Sequence, residues 1–594
     1  MKNTEHNIFI EEVYKNLLSD LNSFDIISSI DSKNSLRSLI RTFYQGLSGE
    51  LSPKFYLNSL PPGSGKTQAI SSFVRVWKSK GFLPAGGILI ALKTKDEIQT
   101  LADRLDLDKA EFAAFTRDDA INALGRSNAD NAPVLITTQQ MVISRTEDRT
   151  FAGTSAFHYR GKPRALRIWD ESFIRAEPVS FDLYGLRALP SILGYRFPAL
   201  ADEISAFSDV VGNAEPGDRV RVPGSIGEAL KPARSAIAHG SFKLQPASGA
   251  LIDGLYKTLG RELIVLATGG KANRSLAGSS RPMPADIAPL IITDASGDVR
   301  STYSLMEQAS GNLVRLPSAP MRYSKMHIHL WETSASKETL GNSQKNGDVY
   351  RHITKAMTEV AGPWLVISFK GAQDKVDVEA ELKSTLRGEV DFSFLNWGRH
   401  HGINAYKDVR NILVVGSYFY PPQAYSALGI ASVGLPVSKA PDIDRMAVKA
   451  GEFQHNMLQA ILRGNARNSV DGVAGECDVY IIASARNHAR RLLAATFPGA
   501  EISNWGPPKN RPLTGHAKAV MDAIDRLMTS SVMKIRKKDI YTAANISKNE
   551  FHRQTEKPVV QVLLRARGII SQGQHLVRRG SDGGTAVDEI VGST

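Results

Sequence analysis

The chain has 594 residues, 42% of them hydrophobic and 22% charged, the make-up of an ordinary globular protein too long for a single core, so three or four domains are expected. Its 73 Lys+Arg against 60 Asp+Glu leave a formal charge of +13, a balance compatible with a polyanionic partner without requiring one. A single cysteine, Cys477, excludes an intrachain disulfide framework and a multi-cysteine zinc site, fits a reducing compartment, and precedes an apolar run where packing is its ordinary role.

The first residues, Met1-Lys2-Asn3-Thr4-Glu5-His6, lack the apolar core of a signal peptide, and no stretch reaches the roughly 18 apolar residues of a membrane span. A cytoplasmic protein with no membrane partner is expected. From residue 7 to about 50, Ile10, Val13, Tyr14 and Leu17 recur with helical spacing, which predicts an N-terminal helical segment over 1–50.

Phe55-Tyr56-Leu57 is a β-prone run, and Ile70, Phe73, Val74 and Trp77 mark one face of a helix beginning near residue 66. Between them lies Leu60-Pro61-Pro62-Gly63-Ser64-Gly65-Lys66-Thr67, a phosphate-gripping loop in a strand–loop–helix setting. Its glycines let backbone N–H groups turn toward a polyphosphate, Lys66 reaches the β and γ phosphates, and the Thr67 hydroxyl is the expected magnesium ligand. Pro62, Gly63, Ser64, Gly65, Lys66 and Thr67 are thus the expected nucleotide-binding residues, and the helix after them points its positive end at the phosphates. Leu60 stands where the fingerprint has its first glycine.

Further apolar runs at Ile88–Ala91, Val134–Ile136, Leu166–Trp169 and Leu290–Ile292 predict a parallel α/β sheet over 51–320. A second set, at Ile328–Trp331, Trp364–Ser368, Val390–Phe394, Ile412–Val415 and Val479–Ala483, predicts a second α/β lobe over 321–506. Residues 174 to about 262 break the rhythm with Pro, Gly and charged clusters, which predicts an insertion in the first lobe.

The run Leu166–Trp169 leads into Asp170-Glu171-Ser172-Phe173, where an NTPase needs carboxylates. Asp170 is placed to hold magnesium and Glu171 to orient and deprotonate the attacking water. The second lobe supplies Gln459, Arg463 and Arg467 at spacings of four, which on one helix share a face, and guanidinium groups reaching across a cleft stabilise charge on the γ phosphate.

With these residues in hand, the chain over roughly 53–485 resembles a superfamily 2 DNA/RNA helicase of the divergent DEAD/DEAH-box kind found on phages and mobile elements. Pro62 to Thr67 resembles motif I and Asp170 to Phe173 motif II. Ala91-Leu92-Lys93-Thr94, Thr137-Thr138-Gln139-Gln140, Asp294-Ala295-Ser296 and Ser368-Phe369-Lys370 resemble motif Ia, the next strand-end contact, motif III and motif IV. Trp397 to Asp408 resembles motif V, and Gln459, Arg463 and Arg467 resemble motif VI. The resemblance implies two RecA-like lobes closing on ATP and Mg2+, with Gly402 and Asn404 near the nucleotide and Thr94, Thr137, Lys370 and His401 on the nucleic-acid backbone. It also implies a single-stranded or forked nucleic-acid partner.

After Pro507-Pro508, a helix carrying Val520, Ala523, Ile524, Leu527 and Met528 opens a basic module over 507–580. Lys538–Asn545, a capped helix after Ser547, Pro558–Arg567 and a hairpin over Ile569–Val577 come next, in the order of a winged helix-turn-helix, with Lys548, Arg553, Arg578 and Arg579 toward nucleic acid. That module favours DNA over RNA, and 581–594 reads as a loose tail.

The expected fold is therefore α/β, with two RecA-like parallel-sheet lobes, an insertion in the first, an N-terminal helical cap and a C-terminal helical or winged-helix module. The expected function is an ATP-dependent helicase or single-strand translocase, with an ATP-gated nucleic-acid clamp as the alternative and the insertion as a possible protein-docking element. A small-molecule P-loop kinase would need only one such lobe.

Overall fold

A computed structural model describes residues 2–24, 26–268, 273–341, 343–371, 376–398, 405–506, 513, 515–529 and 532–578. The chain divides into two compact units, Met1–Gly506 and Pro507–Thr594.

In the first unit, seven parallel strands form one sheet in the order Leu313–Arg315, Phe55–Asn58, Leu290–Thr293, Leu166–Asp170, Ile88–Leu92, Val134–Thr138, Phe112–Phe115. Phe55–Asn58 and Ile88–Leu92 are buried along their whole length, as strands covered on both faces must be. One face is covered by the helix Lys66–Ser79, which buries Ile70, Phe73, Val74 and Trp77, and by the helices Lys2–Ser23 and Ile30–Leu47. The N-terminal pair is thus a cap on this lobe, its Ile10, Val13, Leu17 and Leu21 merged into the lobe's own core.

Six parallel strands form the second sheet, in the order Phe392–Asn396, Trp364–Ser368, Asn411–Val415, Cys477–Ile482, Met326–Trp331, Glu501–Asn504. Two parallel sheets with flanking helices are two RecA-like lobes, the fold class expected. Phe112–Phe115, Leu313–Arg315 and Glu501–Asn504 add three strands to those the apolar runs predict, each too short to carry a period-two signal.

The inserted segment is itself folded. Four antiparallel strands, in the order Glu177–Asp182, Arg274–Ser280, Glu262–Ala267, Arg219–Arg221, carry four helices between Leu183 and Lys257 on one face. It runs on to Ser280, past the boundary of 262 read from composition, because its last two strands have the same apolar character as lobe strands. The sheet's other face meets the second lobe, where Ala277, Ile264 and Leu266 pack on Ala427 and Ile430 of the helix Pro422–Val433.

In the second unit the helices Gly515–Leu527, Lys537–Ala543, Lys548–Thr555 and Pro558–Ala566 surround a core of Val520, Ile524, Ile540 and Phe551. Strands Lys534–Arg536, His575–Arg578 and Ile569–Gln572 form a three-stranded antiparallel wing. Ser547 caps Lys548–Thr555 by accepting the Glu550 N–H at 3.2 Å. The first strand of the wing was not foreseen, being only Lys-Ile-Arg.

Candidate active site

The expected phosphate loop, the carboxylates and Asp294 all lie at the C-terminal edge of the first sheet, where ligands of parallel α/β sheets bind. Gly63 (φ 82°) and Gly65 (φ 92°) take left-handed conformations, so glycine is required at both. The Lys66 ammonium donates to the carbonyls of Leu60 at 2.5 Å and Pro61 at 3.0 Å. The non-glycine start of the loop therefore supplies backbone acceptors rather than a conformational freedom. Burial lowers the Lys66 pKa to about 8, against the opposing pull of Asp170, Asp294 and Glu171, with Arg467 lowering it further.

Asp170 accepts the Thr293 hydroxyl at 2.6 Å, and its carbonyl accepts the Gln139 amide at 2.5 Å. Burial pushes its carboxyl up, and the charge of a bound cation would offset that desolvation. Thr67 and Asp170 both reach the cleft surface, and their hydroxyl and carboxylate are the oxygen donors magnesium takes. Among the described residues there is no cluster of three or more His, Cys, Asp or Glu side chains that could hold a metal ion.

Glu171 stands at φ 70°, the left-handed region, its N–H donating to the Thr293 carbonyl at 3.2 Å. Burial raises its pKa to about 7, with the Lys93 ammonium, 3.9 Å away, acting in the other direction together with Arg463. A carboxyl poised near neutrality is suited to general-base work.

The second lobe approaches through the helix Arg445–Ile461 and the turn that succeeds it. The expectation of one helical face for Gln459, Arg463 and Arg467 is corrected, since the helix ends at Ile461 and Arg467 sits in a separate 3-10 turn, Asn465–Arg467. Within the break the backbone of Gly464 is extended, and only glycine fits there, because a Cβ would lie 2.7 Å from the Val409 carbonyl oxygen, where the chain enters the strand Asn411–Val415. Gln459 and Arg463 remain joined, the Arg463 Nη2 donating to the Gln459 Oε1 at 3.1 Å. The break sends the arginines to different places. Arg463 acts on Glu171, whereas a Cβ at Gly63 would come 2.8 Å from the Arg467 carbonyl oxygen, which places Arg467 at the phosphate loop.

A buried polar chain, of which the motifs mark Phe173, Asp294 and Ser296 but neither Tyr303 nor His455, joins the two sets. The Phe173 N–H donates to the Tyr303 hydroxyl at 3.0 Å, and that hydroxyl donates to Asp294 Oδ2 at 2.7 Å. Asp294 Oδ1 accepts the Ser296 hydroxyl at 2.6 Å, and Ser296 Oγ lies 2.6 Å from His455 Nδ1 on the helix Arg445–Ile461 that leads to the arginines. Beside it, Arg300 donates to Glu452 at 2.6 Å, both almost fully buried. Tyr303 and Arg300 lie seven and four residues beyond Ser296; only their burial, not their spacing, marks them.

Of the expected nucleic-acid contacts, Lys370, Lys548 and Arg553 are exposed, although Arg553 pairs with Glu550 at 2.6 Å. Thr94 is occupied as the N-cap of the helix Lys95–Arg104 in a reciprocal capping box with Glu97. Thr137 is corrected: it is fully buried and its hydroxyl donates to the Phe115 carbonyl at 2.5 Å, because its alternation in the strand points it into the sheet, leaving Thr138 at the edge. Arg578 is half-buried and donates to the Met528 carbonyl at 3.3 Å, which ties it to its own module. His401, Gly402, Asn404 and Arg579 lie outside the described residues.

No family model and no curated protein matches the chain. Among solved structures it is similar to an apo XPD (13% identity, TM-score 0.45, 78% of this chain and 99% of that one) and to S. tokodaii Xpd4 (11%, 0.42, 79% and 99%). It is also similar to S. cerevisiae Dbp5 bound to RNA and ADP BeF3 (9%, 0.34, 82% and 93%). Among the described residues no helix is long and apolar enough to cross a membrane. Two parallel-sheet lobes in tandem, with the expected phosphate loop and acidic pair on one and the arginines on the other, give the chain an α/β fold of two RecA-like lobes.

Proposed function

We propose that this chain is an ATP-dependent nucleic-acid helicase or single-strand translocase, acting on DNA in preference to RNA in the cytoplasm. The observation that carries the reading is the meeting of Lys66, Asp170 and Glu171 from one lobe with Arg463 and Arg467 from the other in a single cleft. Lys66 exchanges the carbonyls of Leu60 and Pro61 for the β and γ phosphates of ATP. Thr67 and Asp170 would hold Mg2+, which would neutralise phosphate charge. Glu171, ionised near neutral pH, orients the attacking water and takes its proton, while Arg467 meets the charge that develops on the γ phosphate. The chain Phe173–Tyr303–Asp294–Ser296–His455 makes the state of the cleft felt along the helix that bears Gln459, so hydrolysis changes how firmly the lobes close.

Alternating closure moves a strand if each lobe grips it. Lys370 is exposed directly after the strand Trp364–Ser368, and the capped helix after Thr94 offers backbone N–H groups. The C-terminal unit supplies a further grip, carrying twelve Lys and Arg against five Asp and Glu between Leu513 and Arg578. Its Lys548–Thr555 helix comes after a four-residue turn, the arrangement of a recognition helix, and this is the basis for favouring DNA. Any protein partner of the insertion would use its outer helices, the sheet's other face being covered by the second lobe.

The test is ATP turnover and strand displacement with and without single-stranded DNA and RNA. The expected result is stimulated turnover with displacement, lost in Lys66→Ala; Glu171→Gln keeps nucleotide binding and loses hydrolysis. Stimulated turnover without displacement assigns the chain to the translocases or clamps, and turnover that survives both substitutions removes this cleft from the mechanism.

A further inference from the structure

Residues 26–29, between the two N-terminal helices, lie across the seam between the lobes. On the first lobe the anchorage is deep. Leu21 is buried, and a Cβ at Gly65 would come 2.7 Å from its Cδ2, so the end of the helix Lys2–Ser23 rests on the phosphate loop itself. Asp20 holds the same end to the helix behind the loop, accepting the Ser72 hydroxyl at 2.8 Å and pairing with Arg75. The Ile26 N–H closes back on the Leu21 carbonyl at 2.9 Å.

On the second lobe the grip is shallow. Ile27 pairs with Val470 in a parallel bridge, and its carbonyl accepts the Asp471 N–H at 2.9 Å. Both side chains are half exposed, Ile27 at 55% and Val470 at 50%. The turn they grip is stiff and central. It begins three residues after Arg467, holds Asp471 at φ 50° and Gly472 at φ 73°, and closes with a Val470–Val473 bridge. The Gly472 carbonyl also accepts the N–H of Arg322, in the segment joining the lobes, at 2.9 Å. One turn therefore carries the strap, the interlobe connection and the approach of Arg467 to Gly63.

The asymmetry sets which end lets go. Among the described residues, a contact of one backbone hydrogen bond and the approach of Ser29 to Gly472 opens more readily than a leucine seated in a core. We propose that residues 26–29 are a latch: anchored on the first lobe, it grips the turn after Arg467, holds that arginine over the phosphate loop, and releases each time nucleotide is exchanged. The latch rests on the nucleotide reading of the cleft and adds to it a positioning element outside every motif.

A reversible cross-link tests it. Neighbouring strands lie about 4.8 Å apart, within the Cα range a disulfide spans, and both positions are reachable from solvent. The native Cys477 is fully buried and does not compete. The full-length Ile27→Cys/Val470→Cys variant is loaded with a fluorescent ADP, oxidised, and its linkage verified by mass. Release is expected to slow at least about tenfold and ATP turnover to fall in proportion, with both restored by dithiothreitol, as gating of exchange requires. Single-cysteine variants are expected to be unchanged by oxidant. Linked protein that releases nucleotide within about twofold of the reduced form overturns the latch alone, even if its turnover falls. Reduced protein that binds no nucleotide overturns the reading of the cleft and the latch with it.

Discussion

Substituting Glu452 by Gln isolates what the buried interlobe ion pair contributes. Arg300 belongs to the first lobe and Glu452 to the helix Arg445–Ile461 of the second; their side chains are 4% and 3% exposed and their Nε and Oε1 atoms 2.6 Å apart. Removing one member of such a pair strands the other charge without water, at a cost of about 3–5 kcal/mol. Asp294, whose Oδ2 lies 3.9 Å from Arg300 Nη1, compensates in part, so the lower end applies. Because the pair spans the seam, the loss falls on closure of the lobes. With about 1.4 kcal/mol per decade, about 3 kcal/mol reduces the closed population on the order of 100-fold once closure is limiting. The assay is kcat/KM for ATP, with unfolding monitored separately to show that each lobe stays folded. Arg300→Met combined with Glu452→Met removes both charges of the pair, leaves Asp294 held by the Tyr303 and Ser296 hydroxyls, and is expected to recover to within about tenfold of the parent, since apolar replacement of a buried pair is often neutral. A Glu452→Gln variant within about twofold of the parent, or a double variant as impaired as the two single losses multiplied, would refute the reasoning.

Three other outcomes are expected. The pH profile of kcat/KM is bell-shaped, because Glu171 must be ionised and Lys66 protonated: activity rises as pH passes about 7 and falls above about 8, whereas a profile flat from about pH 6 to 9 speaks against these roles. Tyr303→Phe leaves the Phe173 N–H without its acceptor and is expected to lose about 1–3 kcal/mol, read as a kcat decrease of about tenfold to hundredfold with KM for ATP little changed. Lys548→Ala and Arg553→Ala are each expected to weaken duplex DNA binding and reduce the slope of log affinity against log salt by about 1; slopes equal to the parent's would remove this helix from the interface.

Much of the architecture is legible in the sequence because buried parallel strands are apolar throughout: Ile88–Leu92 and Trp364–Ser368 stand out without any alternation. The ends of those strands are equally legible, since phosphate loops and acidic pairs need particular residues at fixed positions. Face is harder to read. Thr137 and Thr138 are chemically alike, and only the register of Val134–Thr138 decides which hydroxyl enters the sheet. Where the chain leaves a helix is harder still; the spacing of Gln459, Arg463 and Arg467 invites one continuous helix, and the close approach of Val409 that requires glycine at 464 comes from far upstream. Contacts of long sequence separation, such as Tyr303 with Phe173, Arg300 with Glu452 and Ile27 with Asp471, leave no periodic trace at all.

The central claim is that two lobes build one catalytic cleft, and Arg467→Ala tests it most directly, in single-turnover hydrolysis of ATP with single-stranded DNA present. An arginine acting on the γ phosphate contributes on the order of 1000-fold or more to the rate, so the account predicts a loss of about that size with ATP binding nearly retained. Hydrolysis at the parent rate in Arg467→Ala would contradict it.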